Sequence, residues 1–308
     1  MAKKRAIGAV AALALGILFA TGGAQAADTV RVSSKLDAES GLLGTMILQV
    51  LEANGIPTEN KVQLGPTKIV RSALLAGEID IYPEYTGNGA FFFNIDSDPA
   101  WKNARAGYEK VRQLDQEKNN IVWLKPAPAN NTWAIALRRD VASPNKLSTM
   151  EDFARWVKDG GKAKIAASAE FVESPAALPS FQSTYGFTLK PEQILVLAGG
   201  DTAATIRAAA EGTSGVNTAM VYGTDGAIAA LDLAVMQDTK GAQMVYEPAP
   251  TVRAAVLEKN PKIREVLDPV FASLDTETLR SLNAKISVEG QDPKQVATTY
   301  LKSKGFLK

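Results

Sequence analysis

Twice along this chain, short β-branched runs alternate with amphipathic helical ones, and that repeated rhythm limits the fold more than any other feature. In the first round Val30-Arg31-Val32-Ser33-Ser34 predicts a strand. Leu42, Leu43, Met46, Ile47, Val50 and Leu51 then fall at helical spacing over 40–54, Val62-Gln63-Leu64 predicts a second strand, and Lys68–Ala76 a second helix. Ser40 suits an N-cap, and Gly55 and Gly77 suit helix stops. A third strand at 79–82 completes a β-α-β-α-β order, which predicts a parallel sheet covered by helices. From Ser148 the pattern restarts with helix 148–158, strand Lys164–Ala167, helix 175–185, the run Ile194–Leu197, Gly199-Gly200-Asp201-Thr202 ahead of helix 202–211, and strand Thr218–Val221. The last sixty residues read as mostly helical, punctuated by Pro250, Pro261 and Pro269. Two such sets predict an α/β protein of two lobes, each a helix-covered, mostly parallel sheet. Pro126–Trp133 and Tyr222–Gly226 are placed to cross between them, which makes a hinged cleft.

The first 26 residues stand apart. Lys3, Lys4 and Arg5 precede an almost wholly apolar stretch over 6–20, and Thr21-Gly22-Gly23-Ala24-Gln25-Ala26 ends in the small-x-small pattern of a signal peptidase site. The apolar run falls short of the roughly twenty residues of a membrane span. Cleavage after Ala26 is expected, giving an exported, soluble chain. About 282 residues remain, more than a single core comfortably organises, which again favours two lobes. With the leader's three cations removed, 31 Lys and Arg face 33 Asp and Glu, a net of −2. A near-neutral, interspersed surface does not suit nucleic acid or an anionic membrane face. The chain has no Cys and no His, which argues against disulfides, thiolate chemistry, a triad hydrolase or a zinc site. No cofactor or metal is expected.

The stretch Glu78-Ile79-Asp80-Ile81-Tyr82-Pro83-Glu84-Tyr85-Thr86-Gly87-Asn88-Gly89 carries the chemistry. Ile79 and Ile81 alternate with polar neighbours, and Pro83, which cannot donate to a ladder, predicts the end of the strand. Tyr85 then stands where a stiff element meets a turn, and a Tyr face attracts a cation. Half-buried core tyrosines with wet hydroxyls are the alternative. Ligands of parallel sheets lie outside the carboxyl ends of the strands, which groups Tyr85, Thr67 and Tyr222 by position.

These residues resemble a known family. Ser34-Lys35-Leu36-Asp37-Ala38-Glu39, Gln63-Leu64-Gly65-Pro66-Thr67, Glu78–Gly89, Pro128-Ala129-Asn130-Asn131-Thr132-Trp133, Ala166–Phe171, Tyr222-Gly223-Thr224-Asp225-Gly226 and Asn283–Leu301 are similar to the substrate-binding proteins of osmoprotectant ABC importers, which take glycine betaine, choline or proline betaine. The likeness spans essentially the whole chain after the leader. It implies a two-lobed periplasmic binding protein of type II, non-enzymatic and monomeric, that delivers its ligand to permease and ATPase subunits at the inner membrane. The implied division is 27–130 for the first lobe, 131–225 for the second and 226–308 for the return to the first.

The resemblance further implies an aromatic cage around a quaternary ammonium. Tyr85 matches the Tyr of the PEYTG motif, Tyr222 that of YxTDG, and Trp133 stands where better-studied members have Tyr. Trp has the strongest ring quadrupole of the three, so that exchange preserves the physics. Where those members have a further Tyr, this chain reads Asp201-Thr202-Ala203-Ala204-Thr205. A cage short of one wall should bind more weakly, or take a ligand with a polar atom near Thr202 or Thr205. Lys35, Thr67 and Asn131 are the candidates for the ligand's anionic end, with a solvated surface lysine as the alternative for Lys35. Glu39 and Asp225 could serve the cation or simply cap helices. Phe91-Phe92-Phe93 are expected to fill the first lobe's core. An osmolyte sensor, and a receptor for another small zwitterion such as an amino acid, are the competing readings. The latter lacks an Arg clamp in the segments assigned to the cleft.

Overall fold

The structure, a computed structural model, describes residues 29–197 and 202–308; the leader and Gly199-Gly200-Asp201 lie outside the described residues. Among the described residues no helix is long and apolar enough to cross a membrane. Among the described residues ten strands form two five-stranded sheets. The strands are β1 (Val30–Lys35), β2 (Thr58–Gly65), β3 (Ile81–Tyr85), β4 (Ile121–Trp123), β5 (Trp133–Arg138), β6 (Ile165–Ser168), β7 (Ile194–Leu197), β8 (Thr218–Tyr222), β9 (Leu233–Val235) and β10 (Pro248–Arg253). The first sheet has the order β2-β1-β3-β10-β4 and the second β7-β6-β8-β5-β9.

The two lobes are as expected, and each sheet is mostly parallel, with one strand reversed against the other four so that both are mixed. In the first, β2-β1-β3 is parallel while β10 runs antiparallel to both β3 and β4. In the second, β7-β6-β8 is parallel and β5 runs antiparallel to β8 and β9. The antiparallel strand in each case directly follows a crossing between lobes, so it enters its sheet from the cleft side. The second lobe also keeps β9, so the boundary expected after 225 moves: the chain re-enters the first sheet only at Pro248. Tyr222–Gly226 is therefore not a crossing. The crossings are the segment between β4 and β5 and the one between β9 and β10.

Proline misled the strand reading at two places. β3 continues through Pro83 to Tyr85, and β10 contains Pro248 and Pro250. Thr86 N donates to Glu247 O at 3.0 Å, and antiparallel pairs alternate between bonded and non-bonded. Tyr85–Pro248 and Pro83–Pro250 are therefore non-bonded pairs, where no ladder hydrogen is needed between β3 and β10. On its other side β3 meets β1 only at Ile81 opposite Val32, while past the end of β4 Leu124 N and Ala127 N donate to Pro250 O and Pro248 O, both at 2.9 Å, bonds that use the prolines as acceptors and need no proline hydrogen.

Each sheet is a wall between two apolar layers. Leu42, Met46, Ile47 and Leu51 of helix Ala38–Ala53 pack with Val270, Phe271 and Leu279 on one face of the first sheet. Val70, Leu74, Tyr82, Trp101, Val111 and Trp123 fill the other. Phe153, Phe171, Phe181 and Met220 form one layer of the second lobe, and Ile206, Ala209, Val221 and Ile228 the other. Phe91 does not join the core; it is 57% exposed, while Phe92 and Phe93 are partly buried. Helix Thr276–Ser287 returns to the first lobe yet lies against helix Gly226–Ala230 of the second. The approach is close: a Cβ on Gly226 would sit 2.2 Å from Ala284 N, and one on Gly223 2.1 Å from Asn130 O. The glycines of Tyr222-Gly223-Thr224-Asp225-Gly226 thus serve contact between the lobes.

Candidate ligand-binding site

A cavity of about 1300 Å³ opens between the lobes. Its walls carry Glu39, Tyr85 and Asn283 from the first lobe, Asn131 and Tyr246 from the crossings, and Trp133, Tyr222 and Asp225 from the second. Six of the nine residues expected at the site meet here: Glu39, Tyr85, Asn131, Trp133, Tyr222 and Asp225. Lys35, Thr67 and Thr205 are not among the residues lining the cavity.

The aromatic wall follows from strand register. Trp133 opens β5 directly opposite Tyr222, the last residue of β8, so the two side chains share a face. Their rings stack with centroids 6.3 Å apart and planes 19° from parallel. Phe171 meets Trp133 edge-on at 5.9 Å and braces the stack from the core side. Burial raises the Tyr222 hydroxyl's pKa, against a lowering hydrogen bond with Trp133. Asp225 Oδ2 accepts from Tyr222 N at 2.7 Å, so this carboxylate fixes the turn that presents the ring.

On the opposite wall Glu39, in the first turn of helix Ala38–Ala53, is 6% exposed. Asp37, not Glu39, caps that helix, accepting from Ser40 N at 2.8 Å. The Glu39 carboxylate instead accepts from the Tyr85 hydroxyl at 2.7 Å, Asn131 Nδ2 at 3.2 Å and Asn283 Nδ2 at 2.6 Å. Burial raises its pKa, opposed by hydrogen bonds from Thr224, Tyr85 and Asn283. All these partners are neutral. A buried carboxylate in a cavity wall with neutral donors alone presents a negative potential to whatever enters. Asn283 Nδ2 also donates to Thr224 O at 2.9 Å, tying this network to the second lobe. Arg280, one helical turn earlier, donates to Gly223 O at 2.6 Å.

Three expectations are corrected. Lys35 was expected at the ligand's anionic end or in solvent. It is buried, its ammonium paired with Glu84 Oε1 at 2.5 Å and lying 4.5 Å from the Tyr85 ring centroid. A buried ammonium requires such a partner. Glu84 is further bonded by the Tyr82 hydroxyl at 2.8 Å and Asn88 Nδ2 at 2.7 Å, so the cation braces Tyr85 from behind. Thr67 is the first residue of helix Thr67–Ala76, off the cavity wall. Thr205 faces the interior of its lobe: 1% exposed, it donates to Met220 O at 2.6 Å. Thr202, one turn earlier, lines the cavity in its place.

Sequence reasoning missed several wall residues, Asn283, Phe91 and Tyr246 among them. Asn283 lies in a stretch that carried the resemblance, but nothing local marks a helical asparagine as reaching Glu39, 244 positions away. Phe91 was assigned to the core from its apolar neighbours. Tyr246 was missed because the last sixty residues read as mostly helical, so no strand was expected beside it.

Comparison with known proteins agrees with this geometry. Residues 28–303 match the family model OpuAC, the substrate binding domain of ABC-type glycine betaine transport system. The glycine betaine-binding protein YehZ of Escherichia coli K12 is 60% identical over 284 residues, 92% of this chain and 93% of that protein. A glycine-betaine-binding protein of Pseudomonas aeruginosa is 31% identical over 301 residues, 96% of this chain and 94% of that protein. The solved structure of apo YehZ from E. coli superposes with a TM-score of 0.87, covering 91% of this chain and all of that one. With a type II two-lobed fold, an interlobe cavity and a match over nearly all described residues, this chain belongs to the family of substrate-binding domains of ABC-type glycine betaine transport systems.

Proposed function

We propose that this chain is the periplasmic receptor of an ABC importer, exported by its N-terminal leader. It captures a quaternary-ammonium osmoprotectant of the glycine betaine class and hands it to a membrane permease without chemical change. One observation carries the reading: the stacked Trp133–Tyr222 pair and the Tyr85–Glu39 pair line a single cavity between two lobes. A trimethylammonium group has no N–H to donate, so ordinary acceptor geometry does not select it. Ring faces and a carboxylate match its diffuse charge, each desolvated ring contact being worth on the order of 1–2 kcal/mol. The naming of relatives at 60% and 31% identity as glycine betaine-binding proteins supports the same class.

The balance of charge favours a second reading of the ligand. Asp37, Glu39, Asp96, Asp98, Glu170 and Asp225 line the cavity, against Lys102 as its one basic residue among the described residues. With Lys35 spent on Glu84, a ligand carboxylate finds little cationic reception, whereas choline, a cation with no carboxylate, suits the potential. Isothermal titration with glycine betaine, choline, proline betaine and arginine tests both readings. Binding of the methylated compounds and not arginine, with a shift of Trp emission that disappears in Trp133→Ala, is expected. Arginine binding with no response from the three onium compounds refutes the assignment.

A further inference from the structure

We propose that the outer end of the first sheet holds a site for a small doubly charged oxyanion of the phosphate or sulfate class, gripped by Arg31 and Arg253. The site is separate from the interlobe cavity and does not depend on the ligand read there.

Topology brings the charged residues together. Arg31 is the second residue of β1, Asp80 immediately precedes β3, and Arg253 closes β10. β1 and β3 are parallel and β10 runs against β3, so all three lie at the end of the sheet away from Tyr85 and Pro248. At about 3.3 Å per residue, Asp80 stands roughly 16 Å along the strand direction from Tyr85. A pocket of about 350 Å³ opens at this end, lined by Arg31, Asp80, Arg253, Lys259 and Asn260 among others. It has room for a tetrahedral oxyanion with some of its water.

Asp80 organises the two arginines. Its side chain is 5% exposed. Arg31 meets it as a fork, Nε to Oδ2 and Nη2 to Oδ1 both at 2.8 Å, and Arg31 N adds a bond at 2.9 Å. Burial works to raise the Asp80 pKa, but the bonds from Arg31 and Arg253 carry it below the ordinary value, so the carboxylate is ionised at neutral pH. One guanidinium already satisfies it. Arg253 nevertheless sends Nη1 to Oδ1 at 3.2 Å, the longest bond of the set. The Arg253 guanidinium lies over Gly77, where a Cβ would stand 3.1 Å from Cζ and Nη1 and 3.2 Å from Nη2. Gly77 ends helix Thr67–Ala76 at φ 74°, so the absence of a Cβ serves both the left-handed turn and this close approach.

Two guanidiniums held against one carboxylate leave an excess of positive charge, even with Lys259 left out of the count, and the two cations repel at this range. Glu59, the other carboxylate acting on Arg31, has its own cation in Lys61 at 2.6 Å. Among the described residues Arg31 Nη1 and Arg253 Nε and Nη2 have no acceptor, and the two side chains are 31% and 35% exposed where they line the pocket. Guanidinium edges with unspent N–H groups, fixed by a shared buried anchor, match the oxygens of a tetrahedral oxyanion, and a dianion removes the repulsion between them.

The test is calorimetric titration and thermal melting with sodium phosphate and with sodium sulfate, each against sodium chloride at equal ionic strength, on the wild type, Arg253→Gln and Arg253→Lys. Both oxyanions are expected to bind the wild type at one site and, at about ten times Kd, to raise its melting temperature by about 2–4 °C above the chloride control. Arg253→Gln should weaken them about tenfold or more, and Arg253→Lys, which keeps the charge and loses the fork, by less. The lysine variant decides should the glutamine variant fold poorly. Glycine betaine titration reports on the interlobe cavity and should give the same result in all three proteins, with or without phosphate. A wild type that responds to phosphate and sulfate no more than to chloride overturns the inference. An equal response in wild type and both variants, or a glycine betaine affinity that falls as phosphate is added, puts the anion elsewhere and overturns it too.

Discussion

Replacing Glu39 with glutamine separates charge recognition from scaffolding. The side chain keeps its shape and can still accept from Tyr85 or Asn283, but the negative charge is gone. In the free protein the cost of burying that charge is already met, so an incoming cation gains the attraction without a fresh desolvation cost on the protein side. At about 6 Å and an effective dielectric of about 20, the interaction is about 3 kcal/mol. That corresponds to roughly a hundredfold in Kd. The folded state should not suffer in proportion, because a neutral amide is easier to bury than a carboxylate, and the melting temperature should hold or rise. The assay is calorimetric titration of choline, a pure cation, and glycine betaine, whose own carboxylate offsets part of the field, so choline should lose more. pH provides an internal control. The folded-state pKa of Glu39 is raised, chiefly by burial, and cation binding favours the ionised form. Affinity should therefore fall with acidification at a higher pH than an ordinary carboxylate would give, and Glu39→Gln should remove that dependence. A choline affinity within twofold of wild type, with the pH profile intact, would refute the counter-charge role and leave Glu39 as an organiser of hydrogen bonds.

Three further substitutions discriminate between parts of the structure. Thr202→Tyr puts a ring on the cavity wall and should tighten onium binding up to about tenfold. Thr205→Tyr instead forces a ring into the packed lobe beside Met220 and should lower stability by roughly 1–3 kcal/mol with no gain in affinity, measured by denaturant midpoint and titration together. Arg71→Met strands Asp115, fully buried and held by Arg71 at 2.5 and 2.8 Å as well as by Trp123 Nε1 at 2.7 Å. It should cost about 3–5 kcal/mol of stability while leaving the ligand affinity of the folded fraction unchanged; a variant as stable as wild type would show that the pair contributes nothing.

The β/α rhythm, the two lobes and the aromatic partners Tyr85, Trp133 and Tyr222 were legible in the sequence because each is a local matter. Periodicity marks helices and strands within a dozen residues, and a tyrosine at a strand end stays at that end in any register. The errors lie where a residue's role depends on what stands opposite it. Pro83 read as a strand end and Pro250 as punctuation in a helical region, and β10 with its Pro248 went unseen, because a sequence does not say which backbone hydrogens a ladder will need. Only the pairing of β3 with β10 put all three where none is missed. Lys35 and Thr205 read as ligand contacts because a polar residue beside a motif looks available. Glu84 and Met220 O, which occupy them, come from other strands. Asn283 and Tyr246 reach the cleft from the end of the chain and from the returning crossing, neither of which announces its destination. Short-range pattern thus determined which elements form and what chemistry they carry. Tertiary structure decided which of those groups remain free to meet a ligand, since each buried polar atom must first find a partner and that partner is supplied by distant chain.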